Sequence, residues 1–142
     1  MLLGEYRQAM DSMGQVVLPN QVLSELRGTL VVARGFERNL ILYSEQQWRD
    51  LAAKLMGKPI SDHAVRTLRR RLFSDAAELS VNGDGLITLP ASLRKFAGIQ
   101  NEVILTGMYD HLELWSVQEW SQILQAVVEQ DPNGEQWDGL GL

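Results

Sequence analysis

The chain has no cysteine among its 142 residues. Disulfides, thiolate metal centres and cysteine nucleophiles are excluded, and nothing points to an oxidising compartment. Long apolar runs are also missing. The opening MLLGEYRQAM is too short and too polar for a signal peptide or a membrane span, so a soluble cytoplasmic protein is expected. Only two histidines occur, His63 and His111, and neither has a partner at metal-ligand spacing. No serine lies in a nucleophile-elbow pattern, and no glycine-rich loop introduces a phosphate-binding lysine. With so little of a catalytic constellation present, the chain is expected not to be an enzyme.

Positive charge is scarce overall, at a formal net charge of -5, and unevenly placed. Residues 1–75 hold 11 Lys/Arg against 8 Asp/Glu; residues 76–142 hold 2 against 10. An anionic partner should therefore prefer the first half. The densest basic stretch runs from Arg49 to Arg71, with 7 basic and 2 acidic residues, and ends in Arg69-Arg70-Arg71. On a helix Arg66 and Arg70 share a face, while Leu68 and Leu72 share another. A solvated basic helix face is the favoured reading; phosphate contact is the other.

What is present is a duplication. DSMGQVVLP from Asp11 aligns with NGDGLITLP from Asn82 at an offset of 71 residues, matching Gly14 with Gly85, Leu18 with Leu89 and Pro19 with Pro90. Further on, GFERNLILYSEQQW aligns with GMYDHLELWSVQEW at an offset of 72, matching Gly35 with Gly107, Ser44 with Ser116 and Trp48 with Trp120. Ser44 with Gln47, and Ser116 with Glu119, form capping-box patterns. After each cap the apolar residues recur at helical spacing: Trp48, Leu51, Ala52 and Leu55, then Trp120, Ile123, Leu124 and Val127. Each set predicts one buried stripe. Every copy reads as a glycine turn, a short strand, a proline-opened helical turn, a hairpin and a capped amphipathic helix. Residues 58–78 connect the copies, with Ser61 or Asp62 as a cap and Val65, Leu68 and Leu72 on a further helix. The tail 130–142 is rich in glycine and acids and is expected to be mobile, with Trp137 as the residue able to dock.

NGDGLITLP also looks like part of a calcium loop. Placing Asn82, Asp84 and Gly85 at the third, fifth and sixth positions puts Ser80 first and Ala91 twelfth, so both obligatory carboxylates are missing. A tight turn is the better reading, with Gly83 and Gly85 supplying positive φ and Asn82 and Asp84 supplying turn hydrogen bonds.

Taken together, GEYRQAMDSMGQVVLP, RRRLFSDAAELSVNGDGLITLP and LRKFAGI…EVILTGMYDHLELWSVQEW resemble the MraZ family of bacterial transcription regulators, encoded with cell-division and cell-wall genes. The resemblance covers nearly the whole chain except the tail. It implies a mainly β fold with helices: two AbrB-like (SpoVT-AbrB) units in a pseudo-two-fold double-split, swapped-hairpin β-barrel. The units would be residues 1–57 and 79–129, joined by a linker helix within 58–78 and followed by the tail 130–142. It also implies a homo-oligomeric ring that binds repeated double-stranded DNA sequences upstream of its own operon, with a nucleoid-associated location, no membrane and no cofactor. The family's signature in each copy is Asp, three residues, then Arg. The first copy keeps Asp11 but has Met13 and Gln15 at the basic positions; the second has Asn82 and Leu86 in place of Asp and Arg. Both signature arginines are replaced. A glutamine can still read adenine bidentately, whereas a leucine cannot. The expected DNA surface therefore lies on the first half, at Asp11 and Gln15, with Arg7, Arg34 and Arg38 as nearby cations. The replacements also favour a competing expectation, an oligomeric scaffold that has lost sequence-specific DNA binding.

Overall fold

The computed structural model describes residues 1–129 and 134–142; the first four residues of the predicted tail lie outside that range. In chain order the elements are β1 (Glu5–Ala9), β2 (Gln15–Val17), α1 (Asn20–Leu23), β3 (Thr29–Arg34), β4 (Leu40–Ser44), α2 (Glu45–Met56), α3 (His63–Phe73), β5 (Ala77–Ser80), β6 (Leu86–Thr88), α4 (Ala91–Ala97), β7 (Glu102–Gly107), β8 (Leu112–Trp115) and α5 (Val117–Glu129). A short 3₁₀ turn follows at Glu135–Leu140, where Trp137 is half exposed and not docked in the core. Among the described residues the helices hold more of the chain than the strands, so the architecture is mixed rather than mainly β. No described helix is long and apolar enough to cross a membrane.

Six antiparallel strands form one sheet in the order β1-β7-β8-β4-β3-β5, and β2 pairs with β6 as a separate ribbon. The sheet is open in its hydrogen bonding, with β1 and β5 at its edges; no closed barrel is formed by these pairings.

The registers explain how the two copies fit together. In the ribbon Val16 faces Ile87, its counterpart in the repeat. In the sheet Ile41 faces Glu113, again its counterpart. An antiparallel pair centred on equivalent residues has a local two-fold at its centre, and the β2–β6 and β4–β8 pairs both do. The copies also exchange strands: β1 pairs with β7 of the second copy and β5 with β3 of the first, with Ala9 opposite Glu102 and Ser80 opposite Thr29. One detail of the alignment shifts. Gly107 ends β7 opposite Leu112, whereas Gly35 lies beyond β3 in the hairpin loop, after Arg34 pairs with Leu40. The first hairpin loop is one residue longer, so the matched glycines are neighbours in the alignment and not structural equivalents.

The main core lies between ribbon and sheet. It combines Val16 and Ile87 from the ribbon with inward residues of the sheet, among them Leu30, Leu42, Val103 and Leu114. The opposite face of β3 and β4 presents Ala33, Ile41 and Tyr43, which α2 and α3 cover with Leu55, Val65 and Leu72. Local sequence sets the helix starts. Pro19 and Pro90 immediately precede α1 and α4, where a missing N–H is harmless. Ser44 Oγ accepts from Gln47 N at 3.2 Å and Ser116 Oγ from Glu119 N at 3.0 Å, as the caps predict. Of the two candidate caps before α3, Asp62 is used, accepting from Ala64 N at 2.9 Å. The stripe on α5 departs from expectation. Trp120, Ile123 and Leu124 are half-buried, with Trp120 against Trp115, and Val127 is 60% exposed, so the stripe is covered only in part.

Candidate nucleic-acid interface

Asp11 and Gln15 sit in one turn, between β1 and β2. Asp11 Oδ1 accepts from Met13 N at 3.0 Å and from Gln15 N at 2.8 Å, while Gly14 N donates to Asp11 O at 3.1 Å. The second copy repeats this arrangement. Asn82 Oδ1 accepts from Asp84 N and Leu86 N, both at 2.9 Å, and Gly85 N donates to Asn82 O at 3.0 Å. Asp11 is thus a turn clamp whose geometry a neutral amide reproduces. Gly14 (φ 86°) and Gly85 (φ 77°) adopt the left-handed conformation; Gly83 does not, contrary to the sequence reading. The predicted calcium-like stretch is this turn and strand, and among the described residues no cluster of His, Cys, Asp or Glu could hold a metal ion.

The turns are tied to the opposite copy. Leu89 N donates to Gly14 O at 2.9 Å, and Leu18 N donates to Gly85 O at 2.8 Å. Beside each turn lies one side chain from the helix after the proline of the other copy. Over Gly14 it is Arg94: a Cβ added at Gly14 would meet Arg94 Nε at 2.7 Å. Over Gly85 it is the counterpart Leu23, whose Cδ1 would be 2.6 Å away. Arg94 Nε donates to Leu89 O at 3.0 Å, and among the described residues the guanidinium has no carboxylate partner. The first turn therefore carries a cation where the second carries Leu23; the nearest cation to the second turn is Arg27, which lines a pocket with Asn82, Gly83 and Gly85. The Gln15 carboxamide, in the half-buried first residue of β2 opposite Thr88, makes no side-chain hydrogen bond among the described residues.

The three basic candidates lie elsewhere and are paired. Arg7, exposed on β1, forms a two-pronged ion pair with Glu102 on β7, with Nη2 3.0 Å from Oε1. That hydrogen bond, and then the attraction of the charges, raises the pKa of Arg7; the same bond lowers that of Glu102. Arg34 lies 3.5 Å from Asp75 Oδ2, with its guanidinium carbon 5.7 Å from the centre of the Phe96 ring. Arg38 lies 3.6 Å from Glu119 Oε1 and donates to Phe96 O at 3.3 Å. Arg34 and Arg38 thus meet around Phe96 of α4, while Asp11 and Gln15 meet in the turn; Arg7 joins neither pair by a direct contact. All three cations have a carboxylate nearby, which an incoming phosphate must displace.

The arginines of α3 mostly brace backbone. Arg66 donates to Ile60 O and Ser61 O at 3.0 and 2.9 Å, Arg69 to Met56 O at 3.4 Å, and Arg71 to Gly35 O and Glu37 O at 2.7 and 3.2 Å. Arg70 alone among them is exposed with no hydrogen-bond partner for its guanidinium in the described residues. Arg71 also stacks on Phe96 at 5.7 Å from the ring centre. Sequence reading missed Arg94, and weighed Arg71 only as part of the basic run. The signal for Arg94 was available, because its counterpart 71 residues earlier is Leu23, an apolar-to-cationic change between otherwise similar segments. The bracing role of Arg71 had no such signal, since only the fold brings α3 against the first hairpin loop.

A family model described as "MraZ protein, putative antitoxin-like" matches the chain twice, over residues 1–71 and 72–136. Similar full-length relatives are each named Transcriptional regulator MraZ. The protein of Herpetosiphon aurantiacus is 38% identical over 132 residues, covering 93% of this chain and 92% of the relative. That of Halothermothrix orenii is 36% identical over 91% of this chain and 90% of the relative. That of Clostridium tetani is 28% identical over the full length of both.

Proposed function

The chain belongs to the MraZ family, and from that premise we propose that it is a DNA-binding transcriptional regulator. It acts as a ring-like homo-oligomer on repeated sequences upstream of its own division and cell-wall gene cluster, in the cytoplasm at the nucleoid. The two AbrB-like units, residues 1–57 and 79–129 with the linker 58–78, form a double-split barrel. Support for this comes from the strand exchange between copies and from the core shared by ribbon and sheet.

The observation that carries the DNA reading is the first turn. It carries the Gln15 carboxamide, which makes no side-chain hydrogen bond among the described residues, and the Arg94 guanidinium over Gly14, on an anchored backbone. A carboxamide reads a base edge and a guanidinium holds a phosphate or a guanine. Weak contacts per subunit become strong when several subunits engage several repeats, by about 10²–10⁴. The test is binding of the full chain to DNA from upstream of its own reading frame against a scrambled duplex, over a salt series. Specific binding that weakens steeply with salt is expected. Arg94→Leu should weaken it about 5- to 100-fold and flatten the salt slope by about one phosphate contact, while Arg94→Lys retains the slope. Equal binding to both duplexes at every salt concentration refutes the proposal.

The ion pairs favour a second reading. Arg7, Arg34 and Arg38 are engaged with Glu102, Asp75 and Glu119, as befits an oligomeric scaffold that does not read DNA. Gln15→Arg separates the two: specific binding that appears only in the variant establishes the scaffold.

A further inference from the structure

An open cavity of about 380 Å³ lies beside the second turn. Arg27 and Gly28, in the link between α1 and β3, form one wall; Asn82, Gly83 and Gly85 form the other. The walls come from different copies of the repeat and are joined where Val81 N donates to Gly28 O at 3.2 Å. A Cβ added at Gly28 or Gly83 meets nothing within 4 Å, so both glycines border open space.

Donors dominate the groups left free here. Arg27 Nε donates to Leu23 O at 2.9 Å, which tethers the guanidinium and leaves its two terminal nitrogens without a partner among the described residues. The Asn82 amide oxygen already accepts from Asp84 N and Leu86 N, so its NH2 group remains. The backbone N–H groups of Gly28 and Gly83 also have no partner among the described residues. The carbonyls of Gly28 and Gly85 are occupied, by Val81 N and Leu18 N. No Asp or Glu lines the cavity.

The equivalent place at the first turn has a different character. Met10 N donates to Asn101 O as Val81 N does to Gly28 O, which fixes the correspondence locally. Arg27 then matches Gln100, Gly28 matches Asn101, Asn82 matches Asp11 and Gly83 matches Ser12. From the first turn to the second, a carboxylate is lost, a guanidinium is gained and two side chains give way to glycine. All of these changes suit an oxyanion. A cavity of this order takes a phosphate with a small organic group attached. A long polyanion fits less well. Asp84 lies in the same turn, outside the lining, and residues 76–142 hold 2 Lys/Arg against 10 Asp/Glu. Repulsion grows with each phosphate of a duplex, whereas a single small anion meets chiefly Arg27 and Asn82.

We propose that this cavity binds a small phosphate-bearing molecule, with Arg27 and Asn82 holding the phosphate oxygens. The site is separate from the turn of Gln15 and Arg94 and does not depend on DNA binding. A ligand here bridges the two copies, and the β2–β6 ribbon joins it to the first turn, with Val17 opposite Leu86 and Gln15 opposite Thr88.

The experiment titrates the full chain with inorganic phosphate and with pyrophosphate, each against sodium chloride at matched ionic strength, and follows the amides by NMR. Saturable shifts are expected at Gly28, Gly83 and the Asn82 side chain. Arg27→Leu should weaken binding about 10- to 100-fold, the loss of one charge-assisted hydrogen bond, and Arg27→Lys by less. Asn82→Asp keeps the turn, as Asp11 does in the first copy, but restores the carboxylate, and should weaken binding by a similar factor. Melting temperatures of the variants report any misfolding separately. Arg70→Leu, which removes an exposed charge on α3, should leave binding unchanged. No saturable shift with either anion overturns the proposal. So does an equal loss in Arg70→Leu, which means diffuse attraction to charge. A DNA titration separates the sources of phosphate. Arg27→Leu should leave the salt slope for the upstream duplex unchanged; a slope lower by about one contact gives the cavity to a DNA phosphate, which overturns the small-ligand inference and leaves the DNA reading standing. A parent that shows no specific DNA binding but saturates with phosphate overturns the DNA reading alone.

Discussion

Asp11 can be separated into a shape and a charge, because the second copy performs the shape with Asn82. In the first turn Oδ1 accepts two backbone N–H groups, at 3.0 and 2.8 Å; in the second the amide oxygen accepts two, both at 2.9 Å. Asp11→Ala removes both bonds. Hydrogen bonds to a charged acceptor contribute about 1.5–3 kcal/mol each, and an exposed turn, where water replaces the lost partners, lies at or below the lower end. A total loss of about 1–3 kcal/mol is expected, which lowers the melting temperature by roughly 2–4 °C per kcal/mol in a chain of this size. Asp11→Asn keeps the oxygen and both bonds, so stability should stay within about 0.5 kcal/mol of the parent. The two variants diverge again on DNA. Removing a negative charge about 5 Å from a phosphate is worth on the order of 1 kcal/mol in water, so Asp11→Asn should bind several-fold tighter at low salt, with the gain fading as salt rises. Thermal melts and a binding titration on the same preparations check both halves. An Asp11→Asn protein as unstable as Asp11→Ala refutes the clamp. One that is stable but no longer binds shows that the carboxylate acts through its charge.

Three further outcomes follow from the packing. Leu23→Arg should place a second guanidinium over Gly85, as Arg94 lies over Gly14, and steepen the salt dependence of DNA binding by about one contact; an unchanged slope with an intact fold counts against the counterpart argument. Gly107→Ala would bring a Cβ within 2.5 Å of Leu2 O and Leu3 Cα. Backbone cannot yield as a side chain does, so a loss of about 1–3 kcal/mol is expected in urea unfolding, whereas Gly83→Ala, with nothing within 4 Å, should be tolerated. Tyr43 has its pKa pushed up to about 12, first by burial and then by Asp110 and Glu113. The unfolded phenol ionises near pH 10 while the folded one stays protonated. Stability should therefore fall as pH rises from about 10 to about 12, and Tyr43→Phe should flatten that slope in alkaline melts.

The elements were legible where the signal was local. Serine caps, prolines before short helices and a glycine turn before each ribbon strand are short-range chemistry, so duplication made them visible twice. The exchange of β1 and β5 between copies was not legible from periodicity, because alternation says which face a residue occupies and not which strand lies beside it. The candidate site divides in the same way. Asp11 and Gln15 were placed by a four-residue turn, and they do meet. Arg34 and Arg38 were grouped with them by position in the unit, yet they converge on Phe96, a residue from the other copy. The stripe on α5 fails for a related reason. Leu55 and Val127 share one periodicity, but burial also needs a second surface, and α3 lies beside only one of them.

The way the two copies differ bears on function more directly than the way they agree. A perfectly symmetric pair would present two equal turns and two equally covered helices, and nothing would distinguish one edge of the molecule from the other. The departures lie at symmetry-related positions. Arg94 stands where the first copy has Leu23, and Glu113, which accepts from Trp115 Nε1 at 3.2 Å, faces its counterpart Ile41 across the pseudo-two-fold. The connector α3 packs on α2, and among the described residues no corresponding helix packs on α5. Core positions on the axis, Val16 and Ile87, remain apolar in both copies, so the scaffold keeps its symmetry while the surface loses it. Such a molecule has Arg94 over one turn and Leu23 over the other, so its two turns offer different chemistry to a ligand.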